Sequence, residues 1–523
     1  MTGALRPSPL PAQSEFSTKR LPHILSVPAL DFARASAQKQ FQVFSQNINS
    51  YAEWRARQSF AAELRDADNA PPEKLLQSIW QHQRLRRDQL STTDGQRVRI
   101  LHPGFASVEG GPDFRDAVIQ FDDATPISGD IEVDIRDNGW RAHGHDKNPT
   151  FKNVILHVVW DGKPAAASPT TLSLQKVLDA PLDDLRLQLE HNSIRALPEN
   201  LVGKCSAPLR ELDATTLMTL LNQAAHVRLQ NKSAHLRARA QHVGWEQALW
   251  EGLFRALGYK HNTWPMQHLA ETRAHWQPGA DSVLKIQSRL LGLSGLLPAE
   301  LSHTKSGGDD YLRRVWDDWW RERDAFSTNV LPRNLWRFHG QRPANHPQRR
   351  LALAAHWASD AKFVERIEHW CQQEIADKAL LDSLAKVLAV KRDDFWFWHW
   401  TFRSVRLKKP QPLLGEKRVT DLAVNVILPW LWVRAAEGKN TKLQREMERR
   451  YNAWPAAEDN AVLRLARQRL LGRSATGRTG LNTAAAQQGL LQIVRDFCDH
   501  TNATCDACPF PDLVKSWNGV ACE

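Results

Sequence analysis

Between His102 and Trp160 the chain sets acidic and imidazole side chains inside strand-like sequence. In GDIEVDIR successive side chains alternate, so Ile131, Val133 and Ile135 share one face while Asp130, Glu132, Asp134 and Arg136 share the other. Asp113 follows Gly110, Gly111 and Pro112, a turn sequence that delivers a carboxylate at the start of a second strand-like run, Phe114 to Phe121. Two adjacent strands would bring Asp113 and Glu132 together. Carboxylates a few ångströms apart repel one another unless a proton or a cation lies between them, and Mg2+ or Mn2+ prefers such ligands. A bound cation polarises a phosphoryl oxygen and lowers the pKa of an attacking water. His143, His145 and Asp146 follow, and His157 sits in the apolar run Val154 to Trp160; these imidazoles could complete a metal site or move protons. The competing reading is structural. Acidic alternation also marks a solvated strand face, and a single His in an apolar run is usually a hydrogen-bonded core residue.

The elements that must position these groups follow from periodicity. Pro71 and Pro72 precede EKLLQSIWQHQRL, where Leu75, Leu76, Ile79 and Trp80 form one apolar helical face and Glu73 opens the helix. Glu73 is either a partner of the helix dipole or a distal acid of the site. From Arg97 the period becomes that of strands: RVRIL, DFRDAVIQF and GDIEVDIR. A short helix is expected over Asp146 to Lys152, and NVILHVVW reads as a fourth, buried strand. The predicted fold class is α+β, a small mixed sheet flanked by helices in the order helix, three strands, helix, strand, followed by a large all-helical region. The domain expectation is a disordered basic arm over 1–25, an α/β domain over 26–180, a Trp-rich helical region over 181–490 and a Cys-rich knuckle over 491–523.

The chain has 523 residues, too many for one ordinary core, and carries a formal charge of +11. That charge favours polyanionic partners, DNA or RNA, through basic helical surfaces. Two acid-free stretches concentrate it: one holds Arg333, Arg337, Arg342, Arg349 and Arg350, the other Arg464, Arg467, Arg469, Arg473 and Arg478. Either could equally be a solvated helix face plus a loop. Tryptophan clusters such as VWDDWWRERD and DDFWFWHWTF read as core rather than as base-stacking platforms. The sequence has no run of eighteen apolar residues and no signal-type N-terminal core, so no membrane partner and a cytoplasmic location are expected.

Six cysteines in so long a chain argue against a disulfide scaffold. Cys205 and Cys371 stand alone and read as inert buried thiols. Cys498, Cys505, Cys508 and Cys522 crowd the C-terminus with His500 in reach, a spacing suited to a Zn2+ site or an iron–sulfur cluster.

The runs GGPDFRDA, GDIEVDIRDNGW, HGHDKNPTF, VILHVVW, ALGYKHN, RPANHPQRRLA and DFCDHTNATCDAC resemble a bacterial family described only as a domain of unknown function, from about Pro72 to Trp517. That resemblance implies a histidine where this chain has Asp134. A second resemblance is to the PD-(D/E)xK nuclease superfamily, which has a proline–aspartate pair, then an acid one residue removed from lysine on the next strand. Pro112-Asp113 and Glu132-Val133-Asp134 are similar in placement, and Glu73 lies where that superfamily's helix-borne acid sits. Asp134 occupies the lysine position, so the usual electrostatic stabiliser is missing unless His143, His145 or His157 substitutes. The terminal cysteines are also similar to those of superfamily members with an iron–sulfur cluster, although the spacing differs.

The leading expectation is a metal-dependent, nuclease-like protein acting on nucleic-acid phosphodiesters. Asp113, Glu132, Asp134, His143 and His145 form its catalytic set, and Asp113, Glu132 and His157 its metal ligands for Mg2+ or Mn2+. One alternative is a non-catalytic nucleic-acid or protein-binding factor whose nuclease site has decayed at Asp134. The other is a His/Asp metallohydrolase of different substrate.

Overall fold

Helix α1 spans Ser50–Glu63, and helix α2 (Glu73–His82) starts at Pro72, which supplies a pre-set φ and needs no donor there, and ends at Gln83 in the left-handed conformation. Its buried face of Leu75, Leu76, Ile79 and Trp80 packs on the sheet core formed by Ile131, Val133, Leu156 and Val158. Trp80 Nε1 donates to the Pro103 carbonyl at 2.8 Å, which fixes the helix against the turn after the first strand. The computed structural model describes residues 49–63, 71–107, 110–162, 169–189, 202–277, 279, 281–301, 310–472, 482–498, 505–506, 508 and 509–517. The arm expected over residues 1–25, His500 and Cys522 lie outside the described residues.

The strands are β1 (Val98–His102), β2 (Phe105–Ala106), β3 (Phe114–Phe121), β4 (Ile127–Arg136), β5 (Val154–Asp161) and β6 (Thr171–Ser173). They form one mixed sheet in the order β1-β3-β4-β5-β6, with β2 paired to β3. β3 is antiparallel to β1 and β4, whereas β4, β5 and β6 run parallel. The parallel step from β4 to β5 needs a crossover, which holds helix α3 (Gly139–Ala142) and a 3-10 turn at Pro149–Phe151. The order helix, three strands, helix, strand is therefore the observed one. The short strands β2 and β6 and helix α3 add to it, and the helix expected over Asp146 to Lys152 is only that single 3-10 turn.

From Leu182 onward the described residues are mainly helical, with a helix-free stretch between Leu388 and Glu416. The long helix Ala214–Val243 runs through two apolar clusters, one of which buries Trp250, Trp276, Trp370, Trp396, Trp430 and Trp454. Of the two tryptophan clusters singled out in the sequence, Trp396 is buried in this core, Trp316, Trp319, Trp398 and Trp400 are half-buried, and Trp320 is exposed. The stretch Glu416–Glu437 is long and apolar enough to cross a membrane, but most of it is buried in this helical core, including Leu422, Ile427, Leu428 and Trp430. The sheet meets the helices through ion pairs: Arg87 Nε lies 2.7 Å from Glu271 Oε1, and Arg239 Nη1 lies 3.0 Å from Asp88 Oδ1.

The arginines of the acid-free stretches divide between buried and exposed positions, and Arg473 and Arg478 lie outside the described residues. Arg349 and Arg350 are buried, and their guanidinium groups donate to the carbonyls of His399, Gln411 and Pro412 and of Leu413 and Ala344. Arg469 is also buried. Burial of this kind makes backbone staples, not phosphate contacts; Arg333, Arg337 and Arg342 remain exposed.

Candidate metal centre

The bulk of the site is built from the middle of β4. Ile131 and Val133 enter the sheet core, as alternation requires, while Glu132 and Asp134 point the other way. That opposite face is not solvated, because Glu132 is 7% and Asp134 2% exposed. The cover comes from the crossover. Gly139, which opens α3, sits so close to Asp134 that a Cβ there would lie 2.7 Å from the carboxylate carbon. Any larger residue would push the acid or the helix aside.

Asp113, at the mouth of β3, is tied to β4 twice. Its N–H donates to Glu132 Oε2 at 3.2 Å, and its Oδ2 accepts from the Val133 N–H at 3.0 Å. Gln77 on α2 completes the arrangement by donating from Nε2 to Asp113 Oδ1 at 2.9 Å and to Glu73 Oε1 at 3.1 Å. Glu73, Asp113, Glu132 and Asp134 thus share one electrostatic site. Gln77 was missed in the sequence, although its position four residues after Glu73 on the same helix face was a usable signal.

The imidazoles approach from the crossover and from β5. His145 Nδ1 lies 3.5 Å from Glu132 Oε1, and His143 Nδ1 lies 3.2 Å from Asp134 Oδ1. His157 Nε2 lies 2.9 Å from Asp134 Oδ2. One donor atom from each of Asp134, His143 and His145 lies within 4.8 Å of the other two. His145 is stacked on Phe151 with centroids 4.0 Å apart, and Trp140 meets both His145 and His157 edge-on or tilted. His143 is more than half exposed, so the cluster has a solvent-facing side. The close ligand group among the described residues is thus Asp134, His143 and His145, not the expected set of Asp113, Glu132 and His157, because His157 turns its Nε2 onto Asp134.

Electrostatics show what the site lacks. Burial pushes the Glu132 carboxyl up to about 9, with Asp113, Asp134 and Glu73 adding repulsion. Burial likewise pushes Asp113 up to about 7; the Val133 amide opposes this and the Glu73 and Asp134 carboxylates reinforce it. Glu73 is raised as well, by burial and then by Asp134, and burial lowers His145. Among the described residues, no lysine or arginine forms an ion pair with Asp113, Glu132 or Asp134. His145 Nδ1 is buried and makes no hydrogen bond among the described residues. Crowded acids with an available imidazole nitrogen fit a divalent cation with mixed oxygen and nitrogen ligands.

The cysteines lie elsewhere. Cys205, Cys498, Cys505 and Cys508 occur around the junction of the helices near residue 205 and the C-terminal segment, whereas Cys371 is buried in the helical core.

A family model described as Protein of unknown function (DUF2851) matches residues 73–461. No curated protein and no solved structure matches the chain.

Proposed function

The chain belongs to the DUF2851 family, whose description assigns no activity, and from the geometry we propose that it is a metal-dependent phosphodiesterase of nuclease-like design. The observation that carries this reading is the convergence of Glu73, Asp113, Glu132 and Asp134 with no lysine or arginine paired to the last three among the described residues. The resemblance to PD-(D/E)xK nucleases supports it through two features: the order helix, three strands, helix, strand, and the placement of Asp113 ahead of β3 with Glu132 on β4.

Asp113 and Glu132 would hold Mg2+ or Mn2+, with Asp134, His143 and His145 as the neighbouring donors. Such a cation supplies charge stabilisation to a phosphoryl group and makes water more acidic. The protein's part is to hold the ligands and to handle protons. Val133 N–H and Gln77 fix the two oxygens of Asp113, and His157 fixes Asp134. His143, on the open side, is placed to pass a proton to solvent, and His145 is held rigid by Phe151. At the lysine position stands Asp134, which leaves His143 on the open side as the neighbouring group for the missing lysine's role, since burial disfavours a charged His145. Exposed Arg333 and Arg337 remain as contacts for a nucleic-acid backbone.

The Asp134, His143 and His145 group favours one second reading, a transition-metal hydrolase. Cleavage assays on labelled single- and double-stranded DNA and RNA, with Mg2+, Mn2+ or Zn2+, separate the two. Cleavage supported by Mn2+ or Mg2+ and abolished in Asp113→Ala is expected. Equal cleavage by wild type and Asp113→Ala would sink the assignment.

A further inference from the structure

We propose that Cys205, Cys498, Cys505 and Cys508 together ligate an iron–sulfur cluster, with Cys205 rather than Cys522 as the fourth ligand. Cys205 is separated from the others by almost the whole helical region, and the sequence presents it as an isolated thiol. The fold removes that isolation. A methyl group at Gly203 would stand 3.2 Å from Cys205 Sγ and 3.7 Å from Cys505 Sγ, so both sulfurs border the same point. Lys204 and Asp506 form an ion pair across the same junction at 3.2 Å.

Arg469 organises the remaining contacts. Its carbonyl accepts from the Gly203 N–H at 2.8 Å, and its Nη2 donates to Cys505 Sγ at 3.0 Å. The same side chain also hydrogen-bonds Cys498 and acts on Cys508 through its charge. Burial pushes the Cys498 thiol up to about 11 and raises Cys508 as well; the Arg469 guanidinium opposes both shifts, towards the thiolate that binds metal. The four sulfurs are near enough to feel one another's charge: beyond the dominant effect of burial, Cys498, Cys505 and Cys508 each make the Cys205 thiol harder to ionise. None of the four takes part in a disulfide among the described residues, and three of them are buried.

Spacing selects the kind of centre. Four thiolates on one tetrahedral zinc, each about 2.3 Å from the ion, stand about 3.8 Å apart. Among the described residues no three cysteine sulfurs come within 4.8 Å of one another, so the set stands wider than one zinc ion would hold it. A four-iron cluster, whose iron and sulfide fill the centre and which binds one thiolate per iron, holds its thiolates farther apart than a single ion does. Such a group would clamp residues 203–205 to the C-terminal segment. Cys205 and Cys508 pack with a different apolar cluster from the one that holds Ile131 and Val133 of β4, which makes this place separate from the acidic site.

The test is iron and acid-labile sulfide assay of the full chain purified without oxygen, with its visible spectrum. Wild type and Cys522→Ser should hold equal iron and sulfide and show a broad band near about 400 nm, and Cys205→Ser should lose most of both. In case Cys205→Ser does not fold, alkylation of wild type is mapped by mass spectrometry before and after iron is stripped with a chelator. Stripping should open Cys205, Cys498, Cys505 and Cys508 to the reagent and leave Cys371 closed. Bound zinc without iron overturns the proposal. So does loss of the cluster in Cys522→Ser with retention in Cys205→Ser, or labelling of Cys205 that stripping does not change.

Discussion

His157 Nε2 lies 2.9 Å from Asp134 Oδ2, with the imidazole fully buried and the acid nearly so. The two side chains meet diagonally between parallel strands, since His157 is in register with Glu132. This contact gives Asp134 a fixed rotamer and frees its other oxygen for His143, which is 3.2 Å away. An acid at the position where lysine is expected is therefore held by two imidazoles, and it joins the site instead of facing solvent.

His157→Ala removes the one buried side-chain partner that the acid has among the described residues. Leaving one member of a buried pair alone costs about 3 kcal/mol. Urea unfolding of the metal-free variant should show a loss of that order, and a loss below about 1 kcal/mol would mean that Asp134 finds water or another partner easily.

The raised carboxyls dictate a pH dependence with a definite sign. Glu132 keeps its proton up to about 9 and Asp113 up to about 7 in the folded chain, whereas in the unfolded chain both release it near about 4. The folded state thus binds more protons in that window, and stability contributed by these groups falls as pH rises from about 4 to 9. Comparing thermal midpoints of metal-free wild type and Glu132→Gln from pH 5 to 9 isolates the effect. The wild type should fall relative to the variant as pH rises, and saturating Mn2+ should remove the difference in slope. A wild type that gains on the variant at high pH would contradict the assignment of Glu132.

At Gly139 a Cβ would stand within 3 Å of the Asp134 carboxylate. Overpacking at such a point costs about 1–3 kcal/mol. Gly139→Ala should therefore lower the thermal midpoint and weaken divalent-cation binding together. A variant with wild-type stability would show that the crossover can move away at little cost.

Arg349 separates the staple from the phosphate contact. Its guanidinium serves the His399, Gln411 and Pro412 carbonyls, and a lysine cannot reach all three. Arg349→Lys should destabilise the chain by about 2 kcal/mol while leaving the salt dependence of any DNA or RNA binding unchanged. A reduced salt slope without loss of stability would return Arg349 to the binding surface.

The elements around the site were legible because their periodicities are strong: α2, β1, β3, β4 and β5 fall where apolar steps of three to four and of two place them. β2 and β6, of two and three residues, are too short to carry a period. Alternation in GDIEVDIR correctly separated Ile131 and Val133 from Glu132 and Asp134, yet it could not show that the acidic face is covered. That cover comes from Gly139 and Trp140, whose role depends on a close approach that no sequence pattern records. For Arg349 and Arg350, the carbonyls that bind them lie up to some sixty residues away in sequence, so an acid-free stretch looked like a surface. Cys205 shows the same limit, since its neighbours lie near the other end of the chain.

The most direct measurement is a Mn2+ titration followed by electron paramagnetic resonance on wild type, Asp113→Asn and Glu132→Gln. The account predicts saturable binding to wild type that strengthens from pH 6 to 8.5, as protons leave Asp113 and Glu132, and an affinity at least about tenfold weaker in each variant. Equal affinity in all three proteins, or no saturable binding by wild type at millimolar Mn2+, would contradict it.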